Sequence, residues 1–223
     1  MKVIVFGATG MVGAGVLIEC LQDPRVHSIL VIGRHSVGIS SPKLRELIRS
    51  DFFRYEDVRD QLSGYDACFF CLGVSVAGMS EPDYHRLTNE LTIATAEALV
   101  AVNPGITFCY VSAEGTDSTE RGRWMWARVK GKTENHLLRL SGKSFMFRPG
   151  YIQPMKGVRS KTRLYQTFYS VFARFYPVLR KLAPTHVTTT ENVGRAMIEV
   201  AAAGSARRVL ENSDINLLAA KRE

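Results

Sequence analysis

A short apolar run that ends in three spaced glycines constrains this chain more than any other stretch of it. Val3 to Phe6 reads as a strand buried on both faces. It runs directly into Gly7, Gly10 and Gly13, and the residues from Met11 to Leu21 suit a helix. Each glycine has a physical task. Gly7 can take the φ of a tight strand-to-helix turn that a Cβ would block. Gly10 lets backbone N–H groups approach a pyrophosphate at the positive end of the following helix. Gly13 lets that helix lie close on the strand. A strand before the glycines and a helix after them turn the spacing into an expectation of nucleotide binding. A tight turn without a ligand is the alternative.

The chain then alternates. Ser28 to Gly33 reads as a second apolar strand, Lys43 to Arg49 as a short polar helix and Asp51 to Tyr55 as a third strand. Ala67 to Leu72 is a fourth strand ending at Gly73, and a long helix is expected over Asp83 to Val102, stopped by Asn103-Pro104-Gly105. Thr107 to Ser112 is a fifth strand, Trp124 to Leu140 a helix and Ser144 to Phe147 a sixth strand, followed by Arg148-Pro149-Gly150. A helix over Thr190 to Ala203, a strand at Arg208 to Leu210 and a terminal helix from Ser213 close the chain. This alternation predicts an α/β fold, a doubly wound parallel sheet of Rossmann type, as one domain over residues 1–223 with a small C-terminal helical or cap region. In such sheets ligands sit beyond the carboxyl ends of the strands. Gly7, Arg34, Asp57, Gly73, Ser112 and Pro149 all lie just past predicted strand ends.

Arg34 narrows the ligand. In dinucleotide folds an acidic residue about 20 positions past the glycine turn bonds the adenosine ribose 2′-hydroxyl. Arg34 stands 21 residues after Gly13, and no acid is there. A guanidinium in that place could pair bidentately with a 2′-phosphate, which favours NADP over NAD. Asp57 is read as a partner of the adenine amino group, or else as a helix cap.

The net charge of +8 is unevenly distributed. Arg121 to Lys181 holds fifteen Lys and Arg against one acid, Glu134. That asymmetry suggests an anionic partner: cofactor phosphates, an acidic substrate, a membrane surface or nucleic acid. A solvated basic face is the plain alternative. Leu164 to Leu182 packs six aromatic residues into twelve positions and is flanked by basic side chains. It reads as a cap over a substrate pocket, an oligomer contact, an interfacial amphipathic helix or ordinary core. Apolar stretches are too short for a membrane span or a signal peptide, so a cytoplasmic location is expected. Cys68 and Cys71 lie three apart in a predicted strand and should point to opposite faces. All four cysteines are read as core thiols and no metal site is expected.

The segments Gly7-Ala8-Thr9-Gly10-Met11-Val12-Gly13, Cys71-Leu72-Gly73, Tyr110-Val111-Ser112, Val129-Lys130-Gly131 and Arg148-Pro149-Gly150 resemble, in order and rough spacing, the atypical and extended short-chain dehydrogenases. The likeness is nearest to the Tat-interacting-protein-like branch, described as NAD(P)-dependent epimerase/dehydratase-like, and covers roughly residues 1 to 200. It implies a cofactor set of Gly7, Thr9, Gly10, Met11, Val12, Gly13, Arg34, Asp57, Val58, Leu72, Gly73, Lys130 and Pro149. It also implies a catalytic set in which Ser112 bonds a substrate carbonyl or hydroxyl, Lys130 holds the nicotinamide ribose and Asn89 positions a water. The variable segment, residues 151–185, would select a small-molecule substrate rather than nucleic acid, and Arg159, Lys161 and Arg163 hint that it is anionic.

The family tyrosine is missing. The residue four before Lys130 is Trp126. An indole N–H donates but does not titrate in the range that general acid–base work needs. Tyr110 and Tyr151 are candidate substitutes from the sequence. Two functions follow from the resemblance: an NADP-dependent oxidoreductase with another proton source, or an NADP-binding sensor or partner-binding regulator without turnover.

Overall fold

The computed structural model describes residues 1–156 and 183–221. Its strands are β1 (Lys2–Phe6), β2 (Ser28–Gly33), β3 (Leu44–Ile48), β4 (Ala67–Phe70), β5 (Thr107–Val111), β6 (Ser144–Arg148), β7 (Tyr151–Gln153), β8 (Val187–Thr189) and β9 (Val209–Glu211). Seven of them form one sheet in the order β3-β2-β1-β4-β5-β6-β9, every neighbouring pair parallel. From β1 the chain steps outward to β2 and β3, then crosses back to β4 on the other side of β1. The winding reverses between β1 and β4, which opens a crevice at the carboxyl edge of the sheet.

The helices are α1 (Met11–Gln22), α2 (Glu81–His85), α3 (Leu91–Val102), α4 (Met125–Leu140), α5 (Thr190–Ala203) and α6 (Asn212–Ala220), with a 3-10 helix at Glu56–Leu62. The period-two alternation of a strand divides the core between two layers. Val3 and Val5 of β1 face a core shared with Val16, Val193, Met197 and Ile215 of α1, α5 and α6. Ile4 and Phe6 face the opposite core, shared with Leu62 of the 3-10 helix, Leu99 of α3 and Leu137 of α4. On that second face Phe6, Phe70 and Phe108 form a ladder across β1, β4 and β5, with ring centroids 5.4 and 5.7 Å apart. Cys68 and Cys71 fall on opposite faces, Cys20, Cys68 and Cys109 are fully buried, and all four thiols are free.

Two expectations need correction. Residues 43–49 hold the strand β3 rather than a helix. Leu44 and Leu47 imitate helical spacing, but the ladder that pairs Ile29 with Leu44 through Gly33 with Ile48 makes this an edge strand. Two of its three exposed positions, Arg45 and Glu46, carry charge, as edge strands often do. Residues 51–55 are consequently not a strand but a loop, gathered by Arg49, whose Nε donates to Asp51 O at 2.5 Å and whose Nη2 donates to Arg54 O. The long helix is met and runs without a break from Glu81 to Val102, but it carries a distortion: α2, capped by Ser80 Oγ on Asp83 N, continues through a π-helical segment at Arg86–Glu90 into α3. A small second sheet, β7 paired in parallel with β8, was not expected and lies beside the end of β6. The dense aromatic stretch and Arg159, Lys161 and Arg163 lie outside the described residues. Among the described residues no helix is long and apolar enough to cross a membrane.

Candidate active site

The glycine turn is built as tightly as its spacing implies. Gly7 sits at φ +75°, and a Cβ on it would lie 2.6 Å from Cys71 O at the end of β4. A Cβ on Gly13 would lie 2.2 Å from Gly7 O, so α1 rests on the turn backbone to backbone. Gly10 N donates to Gly7 O at 2.8 Å and leads into α1 in extended geometry. No side chain caps this helix and no acid stands in its first turn. The positive end of α1, with Met11 and Val12 at its start, is therefore left without a side-chain cap or a first-turn acid. A cradle that excludes Cβ atoms and a bare helix end fit the pyrophosphate of a dinucleotide. Thr9 lines a shallow cavity of about 230 Å³ between α1 and the loop that follows β2.

Beside the turn, across the carboxyl ends of β2, β1 and β4, lies a cleft of about 680 Å³. Three of the predicted cofactor residues, Arg34, Leu72 and Gly73, line it. So do Phe52, Phe53, Arg54 and Arg86, which sequence reasoning missed. The Arg86 guanidinium lies over the Phe53 ring, 5.4 Å from its centroid. No sequence period marks Arg86, which is exposed at the start of the π-helical segment while Asn89 is buried. Asp57 and Val58 do not line this cleft. Val58 is buried in the core and Asp57 is an exposed partner of Arg49 at 3.2 Å. The loop gathered by Arg49 puts Phe52 and Phe53, not Asp57, against the cleft.

The third part of the site is made where β5 ends against α4 and the π-helical segment. Ser112 is 5 % exposed, and its Oγ lies 3.0 Å from Thr116 Oγ1. Asn89 sits in the π-helical segment, a distortion that helices often keep for functional positions. Its amide donates to Thr133 Oγ1 at 3.1 Å, which ties the segment to α4. Lys130 is half-buried one turn before Glu134, with Nζ 5.4 Å from the centroid of the Tyr110 ring. Ser112, Lys130 and Asn89 thus gather on one side of the sheet. Trp126 is half-buried, and its Cη2 is 3.5 Å from where a Cβ on Gly115 would be, so the indole packs on the loop after Ser112. Pro149 follows β6, where its carbonyl accepts from Glu114 N at 3.0 Å.

Burial pushes the Lys130 ammonium down to about 8, with Glu134 pulling weakly in the opposite direction. The sign for stability follows directly. The unfolded lysine binds a proton up to about pH 10.4, whereas the folded one releases it from about pH 8. Charged Lys130 therefore costs stability below pH 8, and that cost fades as pH rises towards the unfolded value. Lys130→Met is expected to raise stability at pH 7 by on the order of 2–3 kcal/mol, with the gain largely gone by about pH 10.5. Urea unfolding at the two pH values checks this; an equal gain at both would contradict it.

No protein-family model matches the chain. Among curated proteins it is 29% identical over 140 residues to "Leucinostatins biosynthesis cluster protein T" of Purpureocillium lilacinum, covering 61% of this chain and 51% of that protein. The chain thus spans about half the length of that relative. It is 28% identical over 180 residues to "Protein fmp52, mitochondrial" of Emericella nidulans, covering 77% of this chain and 74% of that one. Among solved structures, the Bordetella bronchiseptica enzyme WbmF in complex with NAD+ superposes with a TM-score of 0.68 at 15% identity, covering 99% of this chain and 76% of that one. MoeE5 in complex with UDP-glucose and NAD gives 0.65 at 18%, covering 99% and 81%. The UDP-glucose 4-epimerase of Thermotoga maritima gives 0.62 at 13%, covering 90% and 73%. The chain thus has the Rossmann-like fold of these enzyme structures.

Proposed function

We propose that this chain is a nicotinamide-dinucleotide-dependent oxidoreductase that prefers NADP and acts on a small, anionic substrate. The observation that carries the reading is the continuity of the site: an uncapped α1 behind a Cβ-excluding turn, a cleft on one side and Ser112 with Lys130 on the other. Gly7, Gly10, Gly13 and the first turn of α1 would hold the pyrophosphate, and Leu72 and Gly73 would border the adenosine half. Arg34, Arg54 and Arg86 outnumber Asp51, the acid of the cleft's lining, which supports a 2′-phosphate there. Lys130 and Pro149 would border the nicotinamide half. When bound, the reduced nicotinamide supplies a hydride to a carbonyl carbon. Ser112 Oγ would donate to the carbonyl oxygen, and the Lys130 charge would favour the negative charge that develops there. The fold relatives bind NAD, in one case together with UDP-glucose, which agrees with a phosphate-bearing substrate.

Fluorescence titration with NADPH and NADH tests this reading. Wild type is expected to bind NADPH at least about tenfold tighter than NADH. Arg34→Ala should remove about 1–2 kcal/mol of NADPH affinity and leave NADH unchanged. Failure to bind either nucleotide would overturn it. Trp126 favours a second reading, a protein that keeps the ligand as a sensor or regulator and does not turn over. NADPH binding without NADPH consumption across carbonyl substrates would select that reading, with Trp126→Tyr as the attempt to restore turnover.

A further inference from the structure

We propose that His186, positioned by Glu114, is the proton donor and acceptor of this site, standing in for the phenol that Trp126 displaces. The proposal rests on the oxidoreductase reading above and names a residue which that reading lacks. Neither tyrosine singled out from the sequence fits the task. Tyr110 is 1 % exposed, packed against Phe70, and burial pushes its phenol far up. Tyr151 turns its hydroxyl to Gln153 Oε1 at 2.9 Å.

The placement of the pair follows from the ladder. Ser112 N donates to Phe147 O at 2.7 Å, and Glu114 N donates to Pro149 O at 3.0 Å. Both amides thus reach the β6 side from residues two apart, the period of an extended chain, so Ser112 and Glu114 present their side chains on the same face. Glu114 then reaches across Gly150, where a Cβ would meet its Oε2 at 2.5 Å and His186 O at 2.3 Å. Glycine at 150 is what admits both groups. His186 is fixed from behind, its carbonyl accepting from Tyr151 N at 2.8 Å and its amide donating to Ala183 O at 3.0 Å. Its Nδ1 is bonded to Glu114 Oε1. An imidazole held at Nδ1 by a carboxylate presents Nε2 outward, the arrangement that orients a histidine for proton transfer. Glu114 is the charged group facing it among the described residues; Tyr151 on β7 and Asn216 on α6 are its polar neighbours. His186 is also the more exposed of the two, at 63 % of its side chain, so bulk water can restore its proton.

The step balances. In the reducing direction the substrate carbonyl carbon gains a hydride, the C=O π pair moves to oxygen, and that oxygen takes the Nε2 proton of imidazolium. His186 is left neutral with Nδ1–H still on Glu114 Oε1. In the oxidising direction neutral Nε2 takes the hydroxyl proton. Glu114 is a positioning residue that keeps the ring oriented.

The test is NMR of the histidine rings of the full chain at fixed pH, with the His186 resonances assigned by their loss in His186→Gln, recorded without ligand, with NADP+ and with NADPH. The His186 ring resonances are expected to move in Glu114→Gln, because the carboxylate that holds Nδ1 is gone. They are expected to differ between the NADP+ and NADPH complexes, since only the oxidised nicotinamide carries a positive charge. His186→Gln should bind NADPH within about twofold of wild type, since the residue lies beyond the cofactor's anchoring groups. Nucleotide binding that leaves His186 indifferent to NADP+ against NADPH would overturn the proposal alone. An unchanged His186 in Glu114→Gln would overturn the role of Glu114. Binding of neither nucleotide would sink the function reading and this proposal with it.

Discussion

Gly13→Val is expected to abolish NADPH binding at accessible concentrations, a loss of at least about 100-fold, and to destabilise the fold by about 2–3 kcal/mol. The cause is steric and local. A Cβ on residue 13 would lie 2.2 Å from Gly7 O and 2.9 Å from Ala8 N, and both are backbone atoms that no rotamer change can move. α1 would have to lift away from the turn. The same displacement carries off its bare N-terminus, the anion site, and opens its packing on β1 and α5. Fluorescence titration and urea unfolding report the two losses separately. A variant that folds less stably yet binds NADPH as wild type does would show that the turn is structural and holds no phosphate.

Glu134→Leu is expected to cost about 3–5 kcal/mol, because it strands a guanidinium. The Glu134 side chain is 1% exposed and takes Arg148 Nε on both oxygens, at 3.0 and 3.2 Å, with Nη2 on Oε2 as well. Arg148 keeps Glu211 at 3.1 Å and Ser118 at 2.6 Å, but its own side chain is only 11% exposed. For a chain of this length the loss corresponds to a fall in Tm of roughly 10 °C. Exchanging both partners, as in Glu134→Leu with Arg148→Met, should recover most of it, since two apolar side chains leave no buried charge behind. The pair also matters to the site. Glu134 is one turn beyond Lys130 and holds its ammonium up against desolvation, so its loss should lower Lys130 further below about 8. Calorimetry on the two variants decides; a double variant no better than Glu134→Leu would contradict this account of the pair.

The doubly wound sheet was legible because each central strand is apolar on both faces and is bounded by glycine or polar punctuation. Gly7, Gly10 and Gly13 were legible for the same reason that they work: their spacing is set by close approach of backbone to backbone. The outer side of the sheet was harder to read. Leu44 and Leu47 carry helical spacing in a strand that only its pairing with β2 identifies, and the misplaced strand then displaced Asp57 from the site. Arg49 decides that region through hydrogen bonds to carbonyls of its own loop, and composition carries no trace of such bonds. Arg54, Arg86 and Phe53 enter the cleft from a loop and a π-helical segment, neither of which has a sequence period. Glu114 and His186 lie 72 positions apart and meet only because the β6 end and the small β7–β8 sheet bring them together over Gly150.

The most direct measurement of the central claim is a crystal structure of the chain grown with saturating NADP+. The account predicts the pyrophosphate against the N-terminus of α1 above Gly10, the 2′-phosphate beside Arg34, and the nicotinamide between Lys130 and Pro149 with Ser112 facing it. A dinucleotide seated elsewhere on the surface, or density for none at a concentration that saturates binding in solution, would contradict it.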